Sequence, residues 1–276
     1  GGVNDALAAK LELDNVRVLN PAGEDDAGQP YGLLRIGETE QTDVRTFAAF
    51  VKEKLACPGL RFADAGRPVR CVAVGGGSCG SAIDEVLAAG CDTFVTADLK
   101  YHQFEEARWR GLNLIDAGHF ETEDPVCEVL AMLLRDALPE VDMDKVLRMC
   151  LIHDVGEAVT GDIPSFQKTD ANEETERQAI AELLSHLPDG LRGELTALFA
   201  EMDALATPEA RVYKALDKLE VVVQHNEAPL DTWLPLEYEL NQTYGIPETA
   251  PFPPLAALRE QARLDTLAKL AEKQVG

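Results

Sequence analysis

The sequence predicts an α/β domain with a parallel sheet, followed by an all-α helical domain. Three observations carry this reading. Short apolar runs, "PVRCVAV", "CDTFVTAD" and "LNLIDAG", alternate with helical patterns between residues 68 and 138. That β-α-β-α order implies parallel strands joined by right-handed crossovers. Strand signals then stop near residue 141, and only helical periodicity follows. A length of 276 residues suits two ordinary domains.

Taken in order, "YGLLRIGE" and "FAAFVKEKL" read as one strand and one helix, and "NPAGEDDAGQPYG" as a loop. The strand "PVRCVAV" leads through "GGGSCG" into the helical "SAIDEVLAAG". A helix over "QFEEARWRG" separates the second and third strands, and another runs from about Pro125 to Leu138. In the second half, "DMDKVLRMCLIHDVGEAVTG" predicts one helix ending at Gly161. "NEETERQAIAELLSHLP" predicts a second, and "PEARVYKALDKLEVVVQHN" a third, with Thr207 as its N-cap and Pro208 in its first turn. After the breaker "PFPP" comes an amphipathic helix, "LAALREQARLDTLAKLAEK". The expected divisions are 1–141, 142–245 and a tail, 246–276.

Lys and Arg number 25 against 49 Asp and Glu, a net charge of −24. So acidic a chain repels nucleic acid and anionic lipid, and no basic run offsets it, so neither is an expected partner. No apolar stretch is long enough to span a bilayer. The six cysteines, at 57, 71, 79, 91, 127 and 150, form no C-x-x-C pair. They read as free thiols in a reducing cytoplasm.

Three of the predicted strands, those after residue 68, end in polar residues: Gly75–Ser78, then Asp98 to His102, then Asp116, His119, Glu121 and Glu123. In an open parallel sheet such ends share one edge, where ligands bind. Residues 75–80 fit G-x-G-x-x-G with Asp98 about twenty residues on, although a tight strand-to-helix turn explains the glycines better. His119 and Glu123, four apart, would share a metal on a helical turn, or form a surface hydrogen bond.

In the second half, Val146 to Val159 is apolar around most of its circumference, which predicts a buried helix with His153 and Asp154 at its middle. A buried carboxylate must be paired, hydrogen-bonded or metal-bound. Glu157 lies one turn beyond and Asp162 follows the helix, so the four suggest a site. A satisfied core histidine beside a salt-bridged Asp154 is an equal reading.

"GGVND", "GGGSCGSAIDEVLAAGCDTFVTADLKYH" and "GLNLIDAGHFETE" resemble the carboxyl-terminal part of the dinuclear-metal-centre family of GTP cyclohydrolase I type 2 homologues, over residues 1–141. The resemblance implies His119 and Glu123 as two metal ligands. The family's His-His pair and Asp precede "GGVND", so weak or no metal binding is expected there. "HDVGEAVTGDIPSFQKT" with the later "TPEARVYKALDKLE" resembles the HD-domain phosphohydrolases of the 5′-deoxynucleotidase-like branch, over residues 142–245. This implies an HD-type all-α domain in which His153, Asp154 and Asp217 bind a divalent metal ion (Mn, Co, Mg or similar). Glu157 and Asp162 would handle the attacking water and the leaving group. For Asp217 a salt bridge to Lys214 is the competing reading. The family's first His, on an earlier helix, has no counterpart. With amino-terminal ligands missing from both parts, and Gly1 as the first residue, a fragment or a join near Val141–Asp142 is expected.

The expected function is therefore metal-dependent hydrolysis of a small phosphorylated substrate, such as a (deoxy)nucleoside 5′-monophosphate, by a cytoplasmic homo-oligomer. The alternative is a non-catalytic oligomeric metal-binding or scaffold protein. GTP ring opening, suggested by a family name alone, ranks last.

Overall fold

A computed structural model describes residues 2–25, 27–161, 163 and 169–275. The chain divides into two compact units, Gly1–Met132 and Leu133–Gly276.

The first unit contains strands β1 (Asp14–Leu19), β2 (Gly23–Glu24), β3 (Pro30–Tyr31), β4 (Leu34–Thr42), β5 (Arg61–Ala63), β6 (Val69–Val74), β7 (Thr93–Thr96) and β8 (Asn113–Asp116). Its helices are α1 (Val3–Lys10), α2 (Val44–Lys54), α3 (Ile83–Ala88), α4 (Tyr101–Trp109) and α5 (His119–Glu123), and α6 (Pro125–Ala137) runs across the division. Six strands form one sheet in the order β1-β4-β6-β7-β8-β5. The three strands expected to be parallel, β6, β7 and β8, are parallel neighbours. The sheet as a whole is mixed, because β1, β4 and β5 join antiparallel. The stretch expected as a loop holds the β2–β3 hairpin.

Side chains alternate between the sheet faces with the period of two that a strand imposes. Val72, Val74, Val95 and Ile115 pack with Leu7 of α1 and Val51 of α2. Ala73, Phe94 and Leu114 pack on the other side with Val86 of α3 and Ala107 of α4. This double coverage explains why the central strands read as continuous apolar runs.

Arg35 of β4 donates from Nε to Asp5 Oδ1 (2.5 Å) and from Nη2 to Asp5 Oδ2 (2.9 Å), clamping α1 to the sheet. The Arg35 hydrogen bond outweighs burial and holds the Asp5 carboxyl below its ordinary value of 3.8. A carboxyl depressed in the folded state stabilises the fold above its unfolded pKa, and that contribution fades as pH falls through the folded value. Asp5→Asn is therefore expected to cost about 1 kcal/mol near pH 7, an amount discounted for partial exposure. The cost should shrink towards pH 3 in urea unfolding. A difference constant across that range would exclude the ionic clamp.

The second unit is helical: α7 (Met143–Ile152), α8 (Glu157–Thr160), α9 (Asp170–Ser185), α10 (Asp189–Ala204), α11 (Pro208–Glu227), α12 (Glu237–Thr243), α13 (Ile246–Thr249) and α14 (Pro253–Val275). Helix α11 lies at its centre, and α7, α10, α13 and α14 pack on it. Its start follows the sequence reading: Pro208 opens the first turn and Thr207 Oγ1 accepts from Ala210 N–H at 3.2 Å. Met149, Met202, Val212 and Leu255 are among the core residues.

One expectation fails here. The helix predicted to reach Gly161 ends at Ile152, and α8 begins only at Glu157. The segment is not buried throughout either, since Leu151 is 83% exposed and Val159 61%. Gly156 lies in the break, where an added Cβ would come 2.7 Å from Glu176 Cγ of α9. That close approach needs a residue that weakens helices.

Candidate functional site

The His-Asp doublet sits at the end of α7 rather than inside a helix, with His153 as its C-cap. His153 Nδ1 lies 2.7 Å from the Cys150 carbonyl. A carbonyl only accepts, so Nδ1 carries a proton, and Nε2 faces the carboxylates, donating to them when the imidazole is protonated. Nε2 is 3.1 Å from Asp154 Oδ2 and 3.5 Å from Asp217 Oδ1 of α11. The imidazole also meets the Tyr213 ring edge-on, with centroids 5.8 Å apart. Asp217 Oδ2 accepts from Lys214 Nζ at 2.7 Å, one turn earlier on the same helix. The salt bridge to Lys214, the competing reading of Asp217, is thus present, while the other carboxylate oxygen faces His153 Nε2.

The electrostatics follow from this packing. Burial acts to raise the Asp217 pKa, but hydrogen bonds from His153 and Lys214 oppose it and hold the group at about 2. The Asp217 hydrogen bond raises His153 above its ordinary value, against desolvation. Burial pushes the neighbouring Cys150 thiol up to about 11, so it is no nucleophile near neutral pH. Asp154 is the exposed member, its side chain 61% accessible, so its cost of burial, which first drew attention to it, is small. Glu157 opens α8, half-buried, one turn past His153. Asp162 lies outside the described residues.

The donor types suit a divalent ion: one imidazole nitrogen oriented through its other nitrogen, and two carboxylates. Ligands bound about 2.1 Å from one ion stand roughly 3.0–3.4 Å apart, close to the spacings around Nε2. The three are nevertheless not drawn together as a metal centre: among the described residues no group of three or more His, Cys, Asp or Glu side chains is placed to hold an ion.

In the first unit the polar ends of β6, β7 and β8 do meet. Asp98 follows β7 with φ +54, a left-handed conformation that Asp tolerates better than most residues. Its Oδ2 lies 2.5 Å from His119 Nδ1, and His119 Nε2 lies 3.3 Å from Glu123 Oε1. The Asp98 hydrogen bond, then the Glu123 charge, raise the His119 pKa. Gly77, at φ +64, passes so close that a Cβ there would fall 2.3 Å from Glu123 Oε1. His119 and Glu123 offer only two donors to an ion, and Asp98 occupies the other face of the imidazole. This set is too small to fit a resident metal, and no chemistry is routed through one. The glycines behave as a turn: Gly76 N–H donates to Asn4 Oδ1 (2.6 Å) and Gly77 N–H to Thr122 Oγ1 (2.9 Å). Those amides are therefore not left free to cradle a phosphate. The parts played by Asn4 and Thr122 had no sequence signal beyond their place beside the motifs.

Each half of the chain, the α/β unit with this strand-end cluster and the helical unit with its His-Asp doublet, matches a family model. The chain belongs to the Duf34/NIF3 (NGG1p interacting factor 3) family, whose profile matches residues 1–153. An HD domain profile matches residues 126–254. The GTP cyclohydrolase 1 type 2 homolog of Streptomyces coelicolor is 46% identical over 138 residues, covering 48% of each chain. The 5'-deoxynucleotidase HDDC2 of Danio rerio is 31% identical over 101 residues, covering 36% of this chain and 50% of that protein. The chain thus spans about half the length of the curated relatives it matches. Among solved structures, Staphylococcus aureus hypothetical protein SA1388 is 27% identical, with 51% of this chain and 59% of that one covered and a TM-score of 0.46.

Proposed function

We propose that the helical unit is a divalent-metal-dependent phosphohydrolase of HD type, acting on a small phosphate ester such as a (deoxy)nucleoside 5′-monophosphate. The observation that carries this reading is the convergence of Asp154 and Asp217 on His153 Nε2, with Nδ1 anchored on Cys150. The HD profile match and the likeness to 5'-deoxynucleotidase HDDC2 support the reaction class and the substrate class. His153, Asp154 and Asp217 would hold the metal, which when bound polarises the phosphate and acidifies a water. Lys214 fixes one Asp217 oxygen and so turns the other towards His153. Glu157, and Asp162 beyond the described residues, are the groups assigned to accept a proton from the water and assist departure of the alcohol.

The test is phosphate release from a panel of deoxynucleoside monophosphates by the whole chain with Mn²⁺, Co²⁺ or Mg²⁺, and with chelator. Release that appears with metal and stops with chelator is expected. Release indifferent to chelator, or none with any of the three ions, would remove the proposal. In that event the non-catalytic, oligomeric reading favoured by the Duf34/NIF3 match would take its place.

A further inference from the structure

A pocket in the first unit is lined by none of Asp98, His119 and Glu123. Its volume is about 840 Å³, within the range of small-molecule sites. Three arginines from three elements line it: Arg45 of α2, Arg61 of β5 and Arg108 of α4. So do three aromatic side chains, Phe62, Tyr101 and Phe104. In a chain of net charge −24, three cations around one cavity stand against the overall composition.

Two of these arginines are available to a ligand. Arg61 is committed: it pairs with Asp116, donates to the Leu99 carbonyl at 2.9 Å and lies 5.2 Å over the Phe104 ring. Arg45 rests 5.6 Å over Phe62. Among the described residues, neither Arg45 nor Arg108 has an ion pair. The pocket's carboxylates, Asp64 and Glu105, lower its net positive charge without cancelling it, and Asp64 Oδ1 accepts from Gly66 N–H at 2.8 Å. Tyr101 and Phe104 are three apart on α4 and so share a face. Tyr101 is 79% exposed, a large aromatic surface left to water at the rim of a cationic cavity.

We infer that this pocket binds a small planar aromatic phosphate of the size and chemistry of a purine nucleoside monophosphate. Arg45 and Arg108 would take the phosphate, since guanidinium groups match its oxygens in a bidentate manner. Tyr101 would stack on the ring system, an interaction that accepts any flat base. The assignment is independent of the HD site, and the experiment keeps the two apart.

Binding of AMP, GMP, adenosine and inorganic phosphate would be measured by titration calorimetry in chelator, on the full chain carrying His153→Ala and Asp217→Asn. AMP and GMP should bind. Adding Arg45→Gln with Arg108→Gln should weaken both at least tenfold. Tyr101→Ala should weaken the nucleotides and leave inorganic phosphate unchanged. All three side chains are exposed, and a matching melting curve verifies that each variant is folded. Absence of nucleotide binding would overturn the inference, as would affinity unmoved by the arginine pair, adenosine binding as tightly as AMP, or phosphate doing so.

Discussion

Asp217→Asn is expected to lower metal-dependent phosphate release by about a thousandfold or more, while the helical unit stays folded. The substitution keeps the side chain's shape but removes the negative charge beside His153 Nε2 and the partner of Lys214. Loss of a group that merely orients a ligand typically costs 10–100-fold, and loss of the ligand itself should exceed that. His153→Ala should give a similar loss. The double variant should be little worse than either single one, because groups that act as a unit are non-additive. Measured turnover within tenfold of the parent for Asp217→Asn would rule out the assignment of Asp217. A control separates folding from chemistry: Lys214→Met breaks the same ion pair without touching the proposed donors, and should retain far more activity.

The largest effect on stability is expected at Arg259. Its side chain is 2% exposed, yet no carboxylate salt-bridges it among the described residues. Nε donates to the Tyr244 carbonyl at 2.6 Å and Nη2 to the Asn241 carbonyl at 2.9 Å, tying α12 to α14, while Nη1 has no hydrogen bond. Desolvation accordingly lowers its pKa. Two terms compete on substitution. Arg259→Ala opens a cavity and removes the donors to two carbonyls, but it also removes a buried charge whose desolvation was unfavourable. The first should win, with a net loss of about 3 kcal/mol. Arg259→Met keeps most of the volume and should lose roughly half as much. Urea unfolding reads both. An Arg259→Ala variant within about 0.5 kcal/mol of the parent would show that the charge penalty had cancelled the packing.

The parallel core was legible because β6, β7 and β8 are covered on both faces, which writes them as unbroken apolar runs. β1 was not legible, since "DNVRVL" is exposed over most of its length and carries no such run. β5 has only three residues, too few for a period. Helix α10 went unread because Gly190 and Gly193 lie in its first turns, where propensity argues against it. The α7–α8 break was hidden for the opposite reason: a segment apolar all round looks like buried helix whether or not its C-terminal half is covered. His153 and Asp154 drew attention as polar groups on an apolar segment, and Asp217 came from motif likeness, with its Lys214 bridge read from helix spacing; the structure adds the Cys150 carbonyl that orients His153. The arginine pocket was invisible because Arg45, Arg61 and Arg108 are scattered in sequence, and only the sheet edge gathers them.

The break after Ile152 also bears on how the helical unit responds to its surroundings. His153 stands at a helix terminus and Asp217 inside a packed helix, on the order of 60 residues further along the chain. An ion held between them would act as a removable cross-link, closing a long loop and shrinking the entropy of the unfolded chain much as a disulfide does. Its benefit scales with free ion concentration rather than being fixed by the covalent chain. Were such an ion bound, the melting temperature of this unit would follow the divalent ion supply.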